Sequence, residues 1–303
     1  MAALILIMLA ALFYAIGKTV CGAIKRKQRF YMPLLRFFCI LLSEAALAVS
    51  LFVWLGGLNY NGLTYAEKNQ ISLREYTAGE VYDMLSNLIE KANAIRKDLP
   101  EAEDGSISYT GSFRDLSELA QNGYDKISEP CGLTTGYSVK AKPALFSYFM
   151  CHLNITGIFP YIVPEPIVNT MTPVASLPST ICHEMAHQRA IAREDEANYI
   201  AYLACINNDD PLFRYSGYHL AIVYTLNALY GVNYELWSDA YGQLEEGIIR
   251  DFQTANAFWS QYETSAAEIS TAVNDTYLQA NNIKDGVKSY GRLVDLLLAE
   301  YYA

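Results

Sequence analysis

Two long apolar runs open the chain and constrain everything that follows. Residues 2–17 carry no charge. Continued to about residue 24, the run reaches the roughly 20 residues a helix needs to cross a bilayer. Lys25-Arg26-Lys27-Gln28-Arg29 comes next. A second run, Phe37 to Gly57, ends in Phe52-Val53-Trp54, aromatic residues of the kind that settle at a membrane–water interface. A cleaved leader would place positive charge ahead of its apolar stretch, and here the charge comes after it. The expectation is a transmembrane helical hairpin over residues 1–58, a multi-pass anchor in the cell membrane. The positive-inside rule puts the basic loop in the cytoplasm, and everything beyond residue 58 is then extracytoplasmic. Glu44 lies inside the second run; a single acid there does not make an ion pathway, and a bond to a neighbouring helix is its ordinary use.

Charge divides at the same place. Residues 1–58 hold six basic side chains (Lys18, Lys25, Arg26, Lys27, Arg29, Arg36) and one acid, a net of +5. The remainder holds 16 basic and 31 acidic residues, a net of −15, within a whole-chain charge of −10. An acidic body cannot neutralise phosphates along a groove, so no nucleic-acid partner is expected. The lipid bilayer is the expected partner of the basic head. With 303 residues the chain has room for about two domains: the anchor over 1–58 and an outer domain over 59–303.

The outer domain reads as mainly α. Val81, Met84, Leu85, Leu88 and Ile89 recur at helical spacing within 76–98, residues 113–127 read as another helix, and the helical pattern resumes from Leu177 almost to the end. Residues 155–175 differ: they are β-branched and aromatic, broken by four prolines. Such a stretch makes short extended segments held at sheet edges. The fold class expected is therefore a membrane hairpin followed by an α+β domain with a small edge-strand element just before the central motif. An edge strand over Ile162 to Thr170 could hold a peptide by strand addition, with Asn169 as a substrate-binding side chain.

That motif is His183-Glu184-Met185-Ala186-His187. Residues four apart share a helix face, so both imidazoles can reach one ion. Two neutral histidine nitrogens suit Zn2+. Glu184 lies beside them, placed to take a proton from water rather than to ligate. A catalytic zinc needs a third protein ligand and an open position. Glu194, Asn198 and Ala201 follow at i, i+4, i+7, one face of a second helix. Glu194 is the preferred third ligand and Glu196, about 200° away on the helical wheel, the alternative. Asn198 can hydrogen-bond a ligand histidine and orient it. Ala197 and Ala201 are small enough for the two helices to approach closely. Six residues, 188–193, must then reverse the chain tightly.

This pattern resembles the zinc signature of gluzincins, and is closest to the membrane metallopeptidases of the CAAX-protease type, whose second motif carries Asp where Asn198 stands. Trp54 to Tyr60, Gly157 to Pro160, Glu165 to Asn169, Cys182 to Cys205, Asn274 to Leu278 and Ser289 to Arg292 are similar to an uncharacterised family of bacterial multi-pass membrane proteins with a zincin-like outer domain. That family often has glycine at the position of Ala190. The resemblance implies a zinc-dependent peptidase-like protein and supplies no substrate.

A reaction at a carbonyl also needs a donor for the developing oxyanion. Tyr215, Tyr218, His219 and Arg292 are the candidates, of which His219 and Arg292 are carried forward as catalytic. Cys131, Cys151, Cys182 and Cys205 would face a compartment where disulfides persist. Cys182–Cys205 is the attractive pair, with buried free thiols as the alternative. The leading expectation is a membrane-anchored zinc metallopeptidase acting on a peptide, protein or cell-wall peptide outside the cytoplasm. The alternative is a non-catalytic sensor or scaffold with a structural or degenerate metal site.

Overall fold

The structure is a computed structural model that describes residues 17–18, 31–134, 138–265, 267–272 and 292–303. Most of the first apolar run, the basic loop, and the segments 274–278 and 289–291 lie outside the described residues. Contacts divide the chain into two units, Met1–Leu58 with Tyr161–Val163, and Asn59–Pro160 with Pro164–Ala303.

In the first unit, α1 spans Tyr31–Leu55. Its stretch Leu34–Leu55 has a mean hydropathy of 2.2 and none of it is buried. A helix this apolar on average and long enough to cross a bilayer is a candidate membrane anchor. Its two serines donate back along the helix, Ser43 to the Cys39 carbonyl and Ser50 to that of Ala46, so neither hydroxyl is left unpaired in an apolar setting. The Tyr161 ring packs edge-on against Phe52 and fills the space that a Cβ on Gly56 would take.

The second unit is mainly helical around one small sheet. Its helices are α2 (Tyr65–Lys68), α3 (Ala78–Arg96), α4 (Phe113–Ile127), α5 (Ser147–His152), α6 (Leu177–Gln188), α7 (Glu194–Ile206), α8 (Pro211–Val232), α9 (Tyr234–Gly242), α10 (Glu246–Ser260) and α11 (Leu293–Tyr301). Their starts are written in the sequence. Thr64 with Glu67, Thr77 with Glu80, and Ser112 with Asp115 form capping boxes at α2, α3 and α4. Asp210 accepts from the amides of Leu212 and Phe213, with Pro211 as the first residue of α8.

Helix α7 is the centre of the core, with eleven of its residues buried. Helices α4, α6, α8 and α11 surround it. Glycines set the closest approaches: a Cβ on Gly123 would fall 1.9 Å from the Ala204 carbonyl oxygen, and one on Gly217 would fall 2.7 Å from Cys205 Cβ. A separate buried cluster ties α3 to α10. Arg96 donates to Asp251 (Nε to Oδ2, 2.6 Å), to the Gly105 carbonyl (2.9 Å) and to Glu101 (3.1 Å). Asp251 also accepts from the Ile107 amide (2.7 Å) and the Tyr215 hydroxyl.

The sheet has three two-residue strands, β1 (Lys142–Pro143), β2 (Gly157–Ile158) and β3 (Ile167–Val168), in the order β1-β3-β2. β1 runs parallel to β3 and β2 antiparallel to it. The segment expected to be the edge, Ile162 to Thr170, therefore supplies the central strand. Its apolar pair Ile167-Val168 is buried on both counts, which is what draws it inside. The edge beside the motif helix is β2, where Gly157 and Ile158 are partly or fully exposed.

Candidate metal centre

The motif helix α6 ends in a turn that brings the next helix back at once. The Ile191 amide bonds to the Ala186 carbonyl and the Ala190 amide to that of His187. This is a Schellman closure. Ala190 takes the left-handed position at φ +66°, a conformation that glycine adopts without a steric penalty. Arg189 folds back to donate to the Met185 carbonyl (2.9 Å), with its guanidinium over the Tyr124 ring. Six residues thus suffice to reverse the chain, and α7 begins at Glu194.

The turn also aims a ligand. The Ile191 carbonyl accepts from His187 Nδ1 at 2.7 Å. From α7, Asn198 Oδ1 accepts from His183 Nδ1 at 2.8 Å. With both Nδ1 atoms committed to oxygen acceptors, each imidazole in its neutral form turns its Nε2 lone pair inward. Those nitrogens are 3.1 Å apart. Glu194 Oε2 lies 3.1 Å from His183 Nε2 and 3.7 Å from His187 Nε2. Ligands at about 2.0–2.1 Å from a tetrahedral zinc sit about 3.3–3.4 Å from one another. The three residues can therefore hold a metal ion, and their spacing fits that geometry.

The electrostatics agree with a centre that wants positive charge. Burial pushes the His187 pKa down, but the Glu194 carboxylate outweighs it and lifts the value to about 9. Burial likewise works against ionised Glu194, yet the His187 charge and hydrogen bonds from both imidazoles hold it well below the usual carboxylate range.

Glu184 stands apart from the ligands. It is buried, and its Oε2 has no hydrogen-bond partner among the described residues. Burial raises its pKa, against the pull of His183 and His187 and with a push from Glu194. Its side chain lies directly on strand β2: a Cβ on Gly157 would fall 2.4 Å from Glu184 Oε1. Phe159, just beyond that strand, stacks its ring at 6.5 Å on the His187 imidazole.

The other expected site residues are placed elsewhere. Glu196 is turned away: its Oε1 accepts from the Tyr65 amide at 2.6 Å, and burial raises its pKa to about 7. Asn169 is wholly buried and its polar atoms are spent within the fold. Its amide donates to the Ile155 carbonyl and to Cys151 Sγ, and its Oδ1 accepts from the Met171 amide. It is a structural side chain, not a substrate contact. His219 is packed between Tyr215 and Phe252 in the α8–α10 core, away from the ligands. Burial lowers its pKa to about 4 despite Asp251. Arg292 stands at the start of α11, where its charge acts on Asp195 and Asp295, both raised by burial. His219 is not part of the His183, His187 and Glu194 cluster. Tyr215 is engaged with Asp251, and Tyr218 lies against Tyr202. Cys182 and Cys205 are adjacent, as buried free thiols and not as a disulfide.

Two contributors carried no clear sequence signal, the Ile191 carbonyl and Tyr224, whose hydroxyl accepts from Asn198 Nδ2 at 3.2 Å; Gly157 stood in a stretch similar to the family, with no role attached to it. A backbone carbonyl is invisible in a residue pattern, and Tyr224 is one of 24 tyrosines.

The site thus defines a mainly helical protein with a His-His-Glu cluster across two consecutive helices. A family model described as a protein of unknown function (DUF3810) matches residues 1–298, and the chain belongs to that family. No curated protein and no solved structure matches it.

Proposed function

We propose that this protein is a membrane-anchored zinc metallopeptidase whose zincin-like domain hydrolyses peptide bonds outside the cytoplasm. The observation that carries the proposal is the inward convergence of three acceptor atoms, His183 Nε2, His187 Nε2 and Glu194 Oε2, with both histidine Nδ1 atoms already bonded to oxygens. Three such atoms this close need positive charge among them, which a metal ion supplies in place of the imidazole proton that Glu194 otherwise holds. Zinc there would supply a Lewis acid for the scissile carbonyl and lower the pKa of water at the site.

The chain's own residues account for the rest. Glu184 Oε2, buried and unpartnered, is the acceptor for a proton from the attacking water. Its raised affinity for protons suits it to carry that proton to the leaving nitrogen. The exposed edge of β2, lying on Glu184, offers main-chain groups to an extended peptide. The basic residues ahead of α1 fix the acidic domain on the outer side. Asn198 accepts the His183 proton without the charge an aspartate would bring, which makes His183 a weaker donor to the metal.

The test uses the full chain in detergent micelles. Elemental analysis is expected to find one zinc per chain. Glu184→Gln is expected to keep that zinc and to lower cleavage of a mixed peptide library by about 10²–10⁴-fold. A wild-type protein that takes up no stoichiometric zinc would defeat the proposal. A Glu184→Gln variant that cleaves like the wild type would remove Glu184 from the chemistry.

A further inference from the structure

Asn198 creates a problem of direction that Tyr224 is placed to solve. An aspartate at this position would present only acceptors, so a histidine beside it must carry its proton on the facing nitrogen. A carboxamide presents an acceptor on one side and a donor on the other. Turned one way, Asn198 accepts from His183 Nδ1–H and leaves the Nε2 lone pair facing the metal centre. Turned the other way, its NH₂ donates to His183 Nδ1, the imidazole proton moves to Nε2, and that nitrogen can no longer ligate.

The structure shows what holds the first orientation. Asn198 Nδ2 donates to the Tyr224 hydroxyl at 3.2 Å while Oδ1 faces His183 Nδ1 at 2.8 Å. Tyr224 comes from α8, a third helix beyond the two that supply the ligands. Its phenol is near enough to Glu194 to feel that carboxylate's charge. The hydroxyl meets Asn198 through an oxygen lone pair, because the amide nitrogen can only donate. The polarity then runs one way along the two hydrogen bonds that join Tyr224, Asn198 and His183.

We infer that Tyr224 is a positioning residue that fixes the Asn198 amide and thereby holds His183 in the Nδ1–H tautomer needed for ligation. The inference rests on the metal-site reading above, but its first readout needs no metal. In metal-free protein labelled with ¹⁵N-histidine, at a pH where the imidazoles are neutral, the wild type is expected to show His183 as the Nδ1–H tautomer. Tyr224→Phe is expected to show a mixture, because either orientation of Asn198 then leaves one buried polar group unpaired. The second readout is zinc affinity by competition with a chromophoric chelator. Tyr224→Phe should weaken binding about 10-fold, within the range for groups that orient ligands. Asn198→Asp should bind at least as tightly as the wild type. Tyr224→Phe added to Asn198→Asp should change affinity by less than about 3-fold, since both carboxylate oxygens accept. An equal loss in the two backgrounds, or a tautomer indifferent to Tyr224, would overturn the inference. Tautomer control by Tyr224 in a wild type that binds no zinc would defeat the metal reading and leave the positioning role standing.

Discussion

Two of the buried charged clusters are built on opposite plans. Around Arg96 and Asp251, donors meet acceptors. The guanidinium gives hydrogen bonds to two carboxylates and a carbonyl, and Asp251 accepts from Arg96, the Ile107 amide and the Tyr215 hydroxyl. Around His183, His187 and Glu194, the Nδ1 donors are committed outward, to Asn198 and Ile191, and the two Nε2 atoms and the carboxylate face one another. Glu184 Oε2 beside them has no hydrogen-bond partner among the described residues. A satisfied buried network specifies structure, whereas an unsatisfied one is strained until something arrives. The first arrangement closes on itself, and the second leaves three residues that could hold a metal ion.

The largest effect is expected where the closed network is broken. Asp251→Ala strands the Arg96 charge in a buried site, which should cost about 3–5 kcal/mol of stability. Denaturation of the full chain in micelles would measure it. Zinc bound per folded molecule should not change. Wild-type stability in this variant would show that the network does not hold α3 to α10.

His219 tests whether an orphaned atom alone marks a functional site. Its Nε2 is buried and without a hydrogen-bond partner among the described residues, as Glu184 Oε2 is, yet aromatic rings pack on it and the metal-ligating cluster of the described residues does not include it. Burial holds its pKa at about 4, against about 6.5 for an unfolded imidazole. Between those values the unfolded chain binds a proton that the native state refuses. Native stability is therefore full above about pH 6.5 and falls as the pH drops toward 4, by up to about 3 kcal/mol. Glu196, raised to about 7 chiefly by burial, works in the other direction: its contribution is present below about pH 4.5 and is lost as the pH rises through 7. Both proteins keep Glu196, so the difference between His219→Leu and the wild type isolates the histidine. The variant's unfolding midpoint should fall less between pH 7 and pH 4.5. Parallel curves for the two would refute this account.

The same contrast explains what was legible in the sequence. The ligand pair follows from helical spacing, and Glu194 from the register of the next helix, because both depend on local periodicity. The capping boxes were equally local. What escaped notice depends on chain segments far apart in sequence. His219 has the residue type of a catalytic group, but its surroundings come from α10. Asn169 sits in a β-rich stretch whose apolar pair, Ile167-Val168, was drawn to the centre of the sheet and not its edge. Tyr224 and Gly157 acquire meaning only once α8 and β2 are placed against Asn198 and Glu184. Ala190 lies between these cases: a tight reversal was required there, and the structure meets it with a left-handed alanine.

The smallest effect on stability, and the most selective, is expected at the glycines that floor the two clusters. A Cβ at Gly247 would lie 3.2 Å from Arg96 Cζ, whereas one at Gly157 would lie 2.4 Å from Glu184 Oε1 and 2.7 Å from its Cγ. The second approach is too close to be absorbed at the carboxylate tip alone, so the whole Glu184 side chain must shift. Gly157→Ala should then cost about 1–3 kcal/mol from overpacking. More tellingly, it should lower peptide cleavage at least 10-fold, because a base displaced by about 1 Å loses its geometry. Zinc affinity should stay within about 3-fold of wild type, since His183, His187 and Glu194 are untouched. Gly247→Ala should lose a similar or smaller amount of stability and leave cleavage per folded molecule unchanged. Equal cleavage by the two variants would mean that the Glu184 position above β2 does not matter to the reaction. The difference between a closed structural cluster and an open reactive one would then fail at the residue where it is sharpest.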